Sequence, residues 1–169
     1  MAISTLQQLF EHELQDLYSA ETQIIEALPK MIGKASHEEL KTALDDHLEV
    51  TKIQLERLNS IFRELNFKKT TRICEGMKVI LTEGEKSLNE IVDNPTRDAA
   101  IIAAAQRVEH YEISGYGTAT EYAKQLDLGN IADILAETLN EEKEADASLS
   151  TLATGSWFAE GINEVAADE

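Results

Sequence analysis

The chain has 169 residues, 43% of them hydrophobic, with 32 acidic against 15 basic side chains and a net charge of −17. That length suits one domain with a real core, and that hydrophobic share is too high for a disordered chain. The charge excludes a broad basic face for nucleic acid and disfavours anionic membrane surfaces; it suits a cytoplasmic protein and concentrates cations around it.

With only two prolines and eight glycines, few breakers interrupt the pattern, which favours long helices. The N-terminal stretch MAISTLQQLFEHELQDLY carries acids where a signal peptide needs a basic start and an apolar run. No segment approaches the length of a membrane span. Cys74 is the single cysteine, so no intrachain disulfide forms, and it reads as a small core residue.

A first helix is expected from about Ser4 to Ala35, with Ser4 and Gln7 as a capping box and Leu6, Phe10, Leu14, Leu17, Ile24, Ile25 and Leu28 at helical spacing. Pro29 kinks its last turns and Gly33 weakens them. A second helix is expected from Ser36, with Glu39 completing a capping box, to about Leu65; Asn66 to Thr70 reads as a loop. A shorter helix, about Thr71 to Val92, carries the chain back along the bundle. The turn Asp93-Asn94-Pro95-Thr96 opens a long helix to Leu126, with Gly115 and Gly117 inside it. Glycine in a helix interior is unfavourable by roughly 1 kcal/mol relative to Ala, so these two point to a close helix approach or a local bulge. The last long helix runs from about Asn130 to Thr154-Gly155. Residues 1–155 thus read as the helical domain. Residues 156–169 read as a loose acidic tail that Trp157 and Phe158 could dock.

Four helices, each roughly 40 Å long at 1.5 Å per residue, make a bundle. Short connections join the first pair and the last pair, and the long crossover carries the additional helix. This is the all-α, ferritin-like arrangement.

Each bundle helix places a polar group inside its apolar stripe. On a wheel of about 100° per residue, these are Glu21, His47 with Thr51, Glu109 with Glu112, and Glu142. A buried carboxylate without a partner must be protonated, paired or bound to a cation. Taken singly, each has an ordinary reading: a boundary Glu, a hydrogen-bonded core His, a solvated face for the run from Glu141 to Glu144. Glu109 and Glu112 are harder to set aside, because like charges one turn apart on an apolar face repel. Together the five residues suggest a dinuclear carboxylate site, and oxygen ligands with one imidazole suit iron or manganese. The pattern departs from the usual Glu-x-x-His, since position 50 after His47 is Val. Glu141 and Asp146 are further candidates. Tyr116 lies in the stripe beside the acids, as a packing residue or as a hydrogen-bonding or redox-active partner.

Several stretches carry a resemblance to a known family. They are Leu17 to Gln23, His47-Leu48-Glu49 with Gln54, Ala103 to Ile113 followed by Tyr116-Gly117-Thr118, and Glu137 to Lys143. On these the chain resembles the ferritin-like YciF/YciE stress-protein family of bacteria, with the YciE branch as the nearer likeness. The likeness runs to about residue 155. It implies a rubrerythrin-like bundle, a homodimer and expression under stress, with no defined activity. Val50 stands where relatives carry a second acid.

Two functions follow as expectations. The first is a stress-response di-iron or di-manganese protein acting on oxygen or peroxide, with Glu21, His47, Glu109, Glu112 and Glu142 as ligands. The second is a metal-free structural or stress-protective bundle working as a homodimer. Iron storage in a closed shell ranks below both.

Overall fold

The computed structural model describes residues 3–69, 72–157 and 159–168. Six helices follow in order: α1 (Leu6–Lys34), α2 (Glu38–Glu64), α3 (Glu75–Glu90), α4 (Asn94–Gln125), α5 (Gly129–Thr154) and α6 (Ile162–Ala167). Among the described residues no strand forms beyond a single antiparallel bridge between Ser156 and Ala159. The all-α bundle with one long crossover is therefore what the chain adopts. α1 packs on α2 and α4 on α5, the two hairpins face each other, and α3 lies on α4 and α1 along the crossover.

The helix starts show what local sequence can and cannot set. Thr5, one residue later than expected, caps α1 by accepting from the Gln8 amide at 3.2 Å. The Gln8 side chain turns back to accept from the Ser4 amide at 2.9 Å. At α2 the expected box of Ser36 and Glu39 does not form. The helix starts at Glu38, and the buried carboxylate of Asp98 on α4 accepts from the amides of Ser36 and His37 at 2.8 and 2.9 Å. A charged acceptor satisfies orphan helix-end donors better than a hydroxyl, and it ties the α1–α2 corner to α4. Asp93 caps α4 through the Thr96 amide, with Pro95 in the first turn where its missing N–H costs nothing. α3 starts at Glu75 with Cys74 as its cap; Thr71, its expected start, lies outside the described residues.

Of the two glycines inside α4, Gly115 has a clear reason. A Cβ there would sit 2.7 Å from Leu17 Cδ2, so the bare position lets Leu17 of α1 pack directly on the α4 backbone. Nothing lies within 4 Å of the equivalent point at Gly117.

After Gly155 the chain does more than trail away. Gly155 has φ of 74°, and a Cβ on it would meet the Gly161 amide nitrogen at 2.5 Å. This tight glycine pair folds the chain back, and α6 buries Ile162 against α4 and α5. Trp157 is exposed and docks nothing; Phe158 lies outside the described residues.

The apolar core falls into two clusters. One holds Ile24, Leu28, Leu44, Met77, Ile101 and Leu149. The other holds Phe10, Leu14, Phe62, Tyr116, Ile131 and Leu135. Each fully buried side chain of this size contributes about 1.5–3 kcal/mol relative to exposure. Between the clusters every bundle helix interrupts its stripe: Glu21 between Leu17 and Ile24, Thr51 and Gln54 between Leu48 and Leu58, Glu109 and Glu112 between Val108 and Tyr116, and Glu142 between Leu135 and Leu149. The core is thus divided by a polar layer drawn from all four helices.

Candidate metal centre

The polar layer brings the candidates together. One ligand atom from each of His47, Glu109, Glu112 and Glu142 falls within 4.8 Å of the others. Glu21 lies outside that tight group but borders it, electrostatically coupled to Glu112 and to Glu142. Glu21, Glu112 and Glu142 have no exposed surface and Glu109 has 2%.

Very little protein polarity answers these acids. Tyr116 donates to one Glu21 oxygen and Gln54 to one Glu142 oxygen. The remaining buried oxygens include Glu21 Oε2, Glu109 Oε2, both oxygens of Glu112 and Glu142 Oε2, and none has a hydrogen-bond partner. Among the described residues no Lys or Arg is within ion-pairing distance of Glu21, Glu109, Glu112 or Glu142. His47 Nε2 stands 3.3 Å from Glu109 Oε1 but without hydrogen-bond geometry. Native interiors rarely leave so many buried polar atoms unmatched in one place.

Without a cation the charges cannot all persist. Burial pushes Glu21, Glu109 and Glu112 well above the ordinary carboxylate range, and the neighbouring carboxylates push in the same direction. Burial raises Glu142 too, with Gln54 opposing. Burial pulls His47 down to about 4, which leaves a neutral imidazole with a lone pair near Glu109. The contact at 3.3 Å is therefore not an ion pair. Burial raises Tyr116 well above its usual value, and the Glu21 carboxylate adds to it, so the phenol stays a donor. Three clustered carboxyls and one neutral imidazole, with Glu21 beside them, form a donor set for hard or borderline divalent cations. Orphaned oxygens of this kind are what such an ion satisfies, so the residues fit a metal.

The other candidates are engaged elsewhere. Arg57 holds Glu141 with contacts of 2.5 and 2.9 Å, and Gln54 reaches it at 3.1 Å. Burial works against this charge, but the Arg57 and Gln54 hydrogen bonds outweigh it and hold Glu141 below its usual pKa. Asp146 accepts from Gln106 at 3.2 Å and lies 3.4 Å from His110. The roles of Gln54 and Arg57 emerge only from the fold. Gln54 sits seven residues after His47 and three after Thr51, on the same helix face, and that spacing was the available signal.

A mouth between α2 and α5, with a cavity volume of about 250 Å³, reaches His47 and Glu109. Asp46, Glu141 and Glu144 line it, together with Val50, and no basic residue does. Val50 thus stands at the entrance. Cys74 is buried, as expected of a core residue, and also lies 2.9 Å from Tyr111 Oη and 3.2 Å from Asp16 Oδ2.

Comparison with known proteins fits this architecture. The profile of a domain of unknown function, DUF892, matches residues 5–166. Protein YciF of Escherichia coli strain K12 is 42% identical over 154 residues, covering 90% of this chain and 93% of its own. The crystal structure of that E. coli stress protein superposes with a TM-score of 0.85, covering 89% of this chain and 95% of the other. YcfI of Rhodopseudomonas palustris, described as a candidate structural protein, is 43% identical with a TM-score of 0.87, covering 89% and 96%. A Xanthomonas campestris protein shares the fold at 20% identity and a TM-score of 0.70, covering 86% and 89%.

Proposed function

Because the chain belongs to the DUF892 family, whose own function is undefined, we propose its function from the buried site: a stress-response protein holding a pair of iron or manganese ions and acting on dioxygen or peroxide. One observation carries the reading. Three buried carboxyls and a neutral histidine from α2, α4 and α5 cluster together, with buried Glu21 of α1 coupled to them, and most of the carboxyl oxygens are unpartnered.

In this reading His47, Glu109, Glu112 and Glu142 hold the ions, and Glu21 completes the set from α1. Bound metal would supply Lewis acidity and redox capacity for an oxygen substrate. The protein's own part is the rest. Tyr116 orients Glu21 and keeps a proton on its phenol; Gln54 orients Glu142 and links it to the Arg57–Glu141 pair. The two apolar clusters exclude bulk water from either side. The acidic mouth at α2 and α5 draws cations toward His47.

The finer likenesses belong to the same proposal. They are a rubrerythrin-like bundle, a cytoplasmic setting and a homodimer whose interface uses exposed apolar side chains such as Ile53 on α2 and Val79 on α3. No helix among the described residues is long and apolar enough to cross a membrane. Within the family we read the chain as nearer to YciE, while a relative it matches at 42% identity is YciF.

A second reading, a metal-free structural bundle, draws on the description given to the R. palustris relative. Elemental analysis of purified Glu112→Ala separates the two. The metal reading expects ions lost from one or both positions relative to the parent. An unchanged metal stoichiometry overturns the ligand assignment.

A further inference from the structure

A second way into the polar layer differs in kind from the acidic mouth. On the opposite side, α1, α3 and α4 enclose a groove with a cavity volume of about 210 Å³, lined in part by charged side chains such as Glu26, Lys30, Lys34, Lys78 and Glu85. Below it lies a small void of about 10 Å³. Ala27, Met31, Leu81 and Val108 line both, so the void continues the groove inward. Ile24, Leu28 and Ala105 complete an apolar wall. The two polar residues that line the void are His47 and Glu109, both from the candidate metal centre.

This geometry selects by polarity and size. A void of that volume holds about one water-sized molecule, and a water there needs two to four polar partners. The seven apolar side chains of the wall offer none, and His47 with Glu109 supplies only the minimum a water needs. Ions fare worse, because an apolar passage replaces no part of their hydration shell. A nonpolar diatomic molecule gives up no hydrogen bonds on leaving water, and the void together with the groove it continues gives it room. The mouth at α2 and α5 is mixed: Ala43, Leu44, Val50, Ala145 and Leu149 line it beside Asp46 and Glu144, whose charges favour cations, while Glu141 is already held by Arg57.

We propose that this apolar neck between α1, α3 and α4 is a binding and transit site for a small nonpolar gas of dioxygen's size, delivering it to His47 and Glu109 by a route separate from the cation mouth. The purpose of the route rests on the metal-site reading. The neck itself rests on its lining.

The test therefore uses metal-free protein. Methyl-resolved NMR is recorded at rising dioxygen pressure, and again with xenon. The expected result is paramagnetic broadening by dioxygen, and saturable xenon shifts, at the methyls of Ile24, Met31, Leu81 and Val108. These effects should exceed those at Leu14 and Leu135, in the other half of the core, by several-fold. Ala105→Leu, which fills the void, should bring the neck methyls down to that background. Ala27→Leu, on a different helix, serves if the first variant does not fold. Uniform broadening across the core overturns the proposal. So does a maximum at Leu44 and Leu149 beside the acidic mouth, a long-lived water detected next to Leu81 or Val108, or filled variants that behave like the parent. Because no metal is present, any of these results removes the gas route and leaves the ligand assignment to its own titration.

Discussion

Replacing Glu112 with Gln isolates the electrostatic cost of the polar layer. Glu112 has no exposed surface, and neither of its oxygens has a partner. Burial and the carboxyls of Glu21, Glu142 and Glu109 raise its pKa well above 4.5. In the metal-free fold the group therefore keeps its proton, while in the unfolded chain it ionises near the ordinary value. A folded-state pKa raised above the unfolded one gives stability that is complete below the unfolded pKa and is lost as pH rises toward the folded one. Each proton retained only by the folded state lowers stability by about 1.4 kcal/mol per pH unit across that window. Gln has nearly the same shape and never ionises. In chelated protein, the stability of the parent should therefore fall as pH rises from 5 upward. Glu112→Gln should flatten that slope by up to about 1.4 kcal/mol per unit, less if Glu21, Glu109 and Glu142 redistribute the remaining protons. Urea unfolding at pH 5, 6, 7 and 8 measures both slopes. Identical slopes in the two proteins, or a parent whose stability climbs with pH over this range, would refute the reasoning.

Tyr116→Phe removes the donor on Glu21 while keeping the ring in its core cluster. Loss of such an outer hydrogen bond should weaken metal affinity by about 10–100-fold with stoichiometry retained, read by calorimetric titration; an affinity within twofold of the parent contradicts the orienting role. Asp98→Ala removes the acceptor for the Ser36 and His37 amides far from the acids. It should cost about 1–3 kcal/mol in urea unfolding while leaving metal binding intact, and a loss below about 0.5 kcal/mol would show that water replaces the cap.

The long helices and the ligand candidates were legible for one reason. Leu14, Leu17, Leu44, Ile101 and Leu135 repeat at helical spacing, so an acid inside the stripe, such as Glu21 or Glu142, breaks a rule that is easy to see. What stayed hidden depends on contacts between distant segments. Ser36 carries a plausible local cap, yet Asp98, 62 residues away, does the work, because the α1–α2 corner happens to fold over α4. Gln54 reads as one polar residue among several on α2 until α5 places Glu142 and Glu141 against it. α6 is only six residues long, too short to announce itself by periodicity, and it is held by the Gly155–Gly161 approach and by burial of Ile162. Cys74 read as core and is buried, but its place beside Tyr111 and Asp16 depends on how α3 seats on α1 and α4.

The most direct test of the metal centre is an anaerobic titration of the chelated parent protein with Fe(II) and with Mn(II), followed by calorimetry and thermal melting. Two ions should bind per chain at micromolar concentration or below, with proton release as the buried carboxyls ionise and a melting temperature that rises with metal concentration. No heat of binding, no proton release and an unshifted melt with either ion would contradict the metal-site reading.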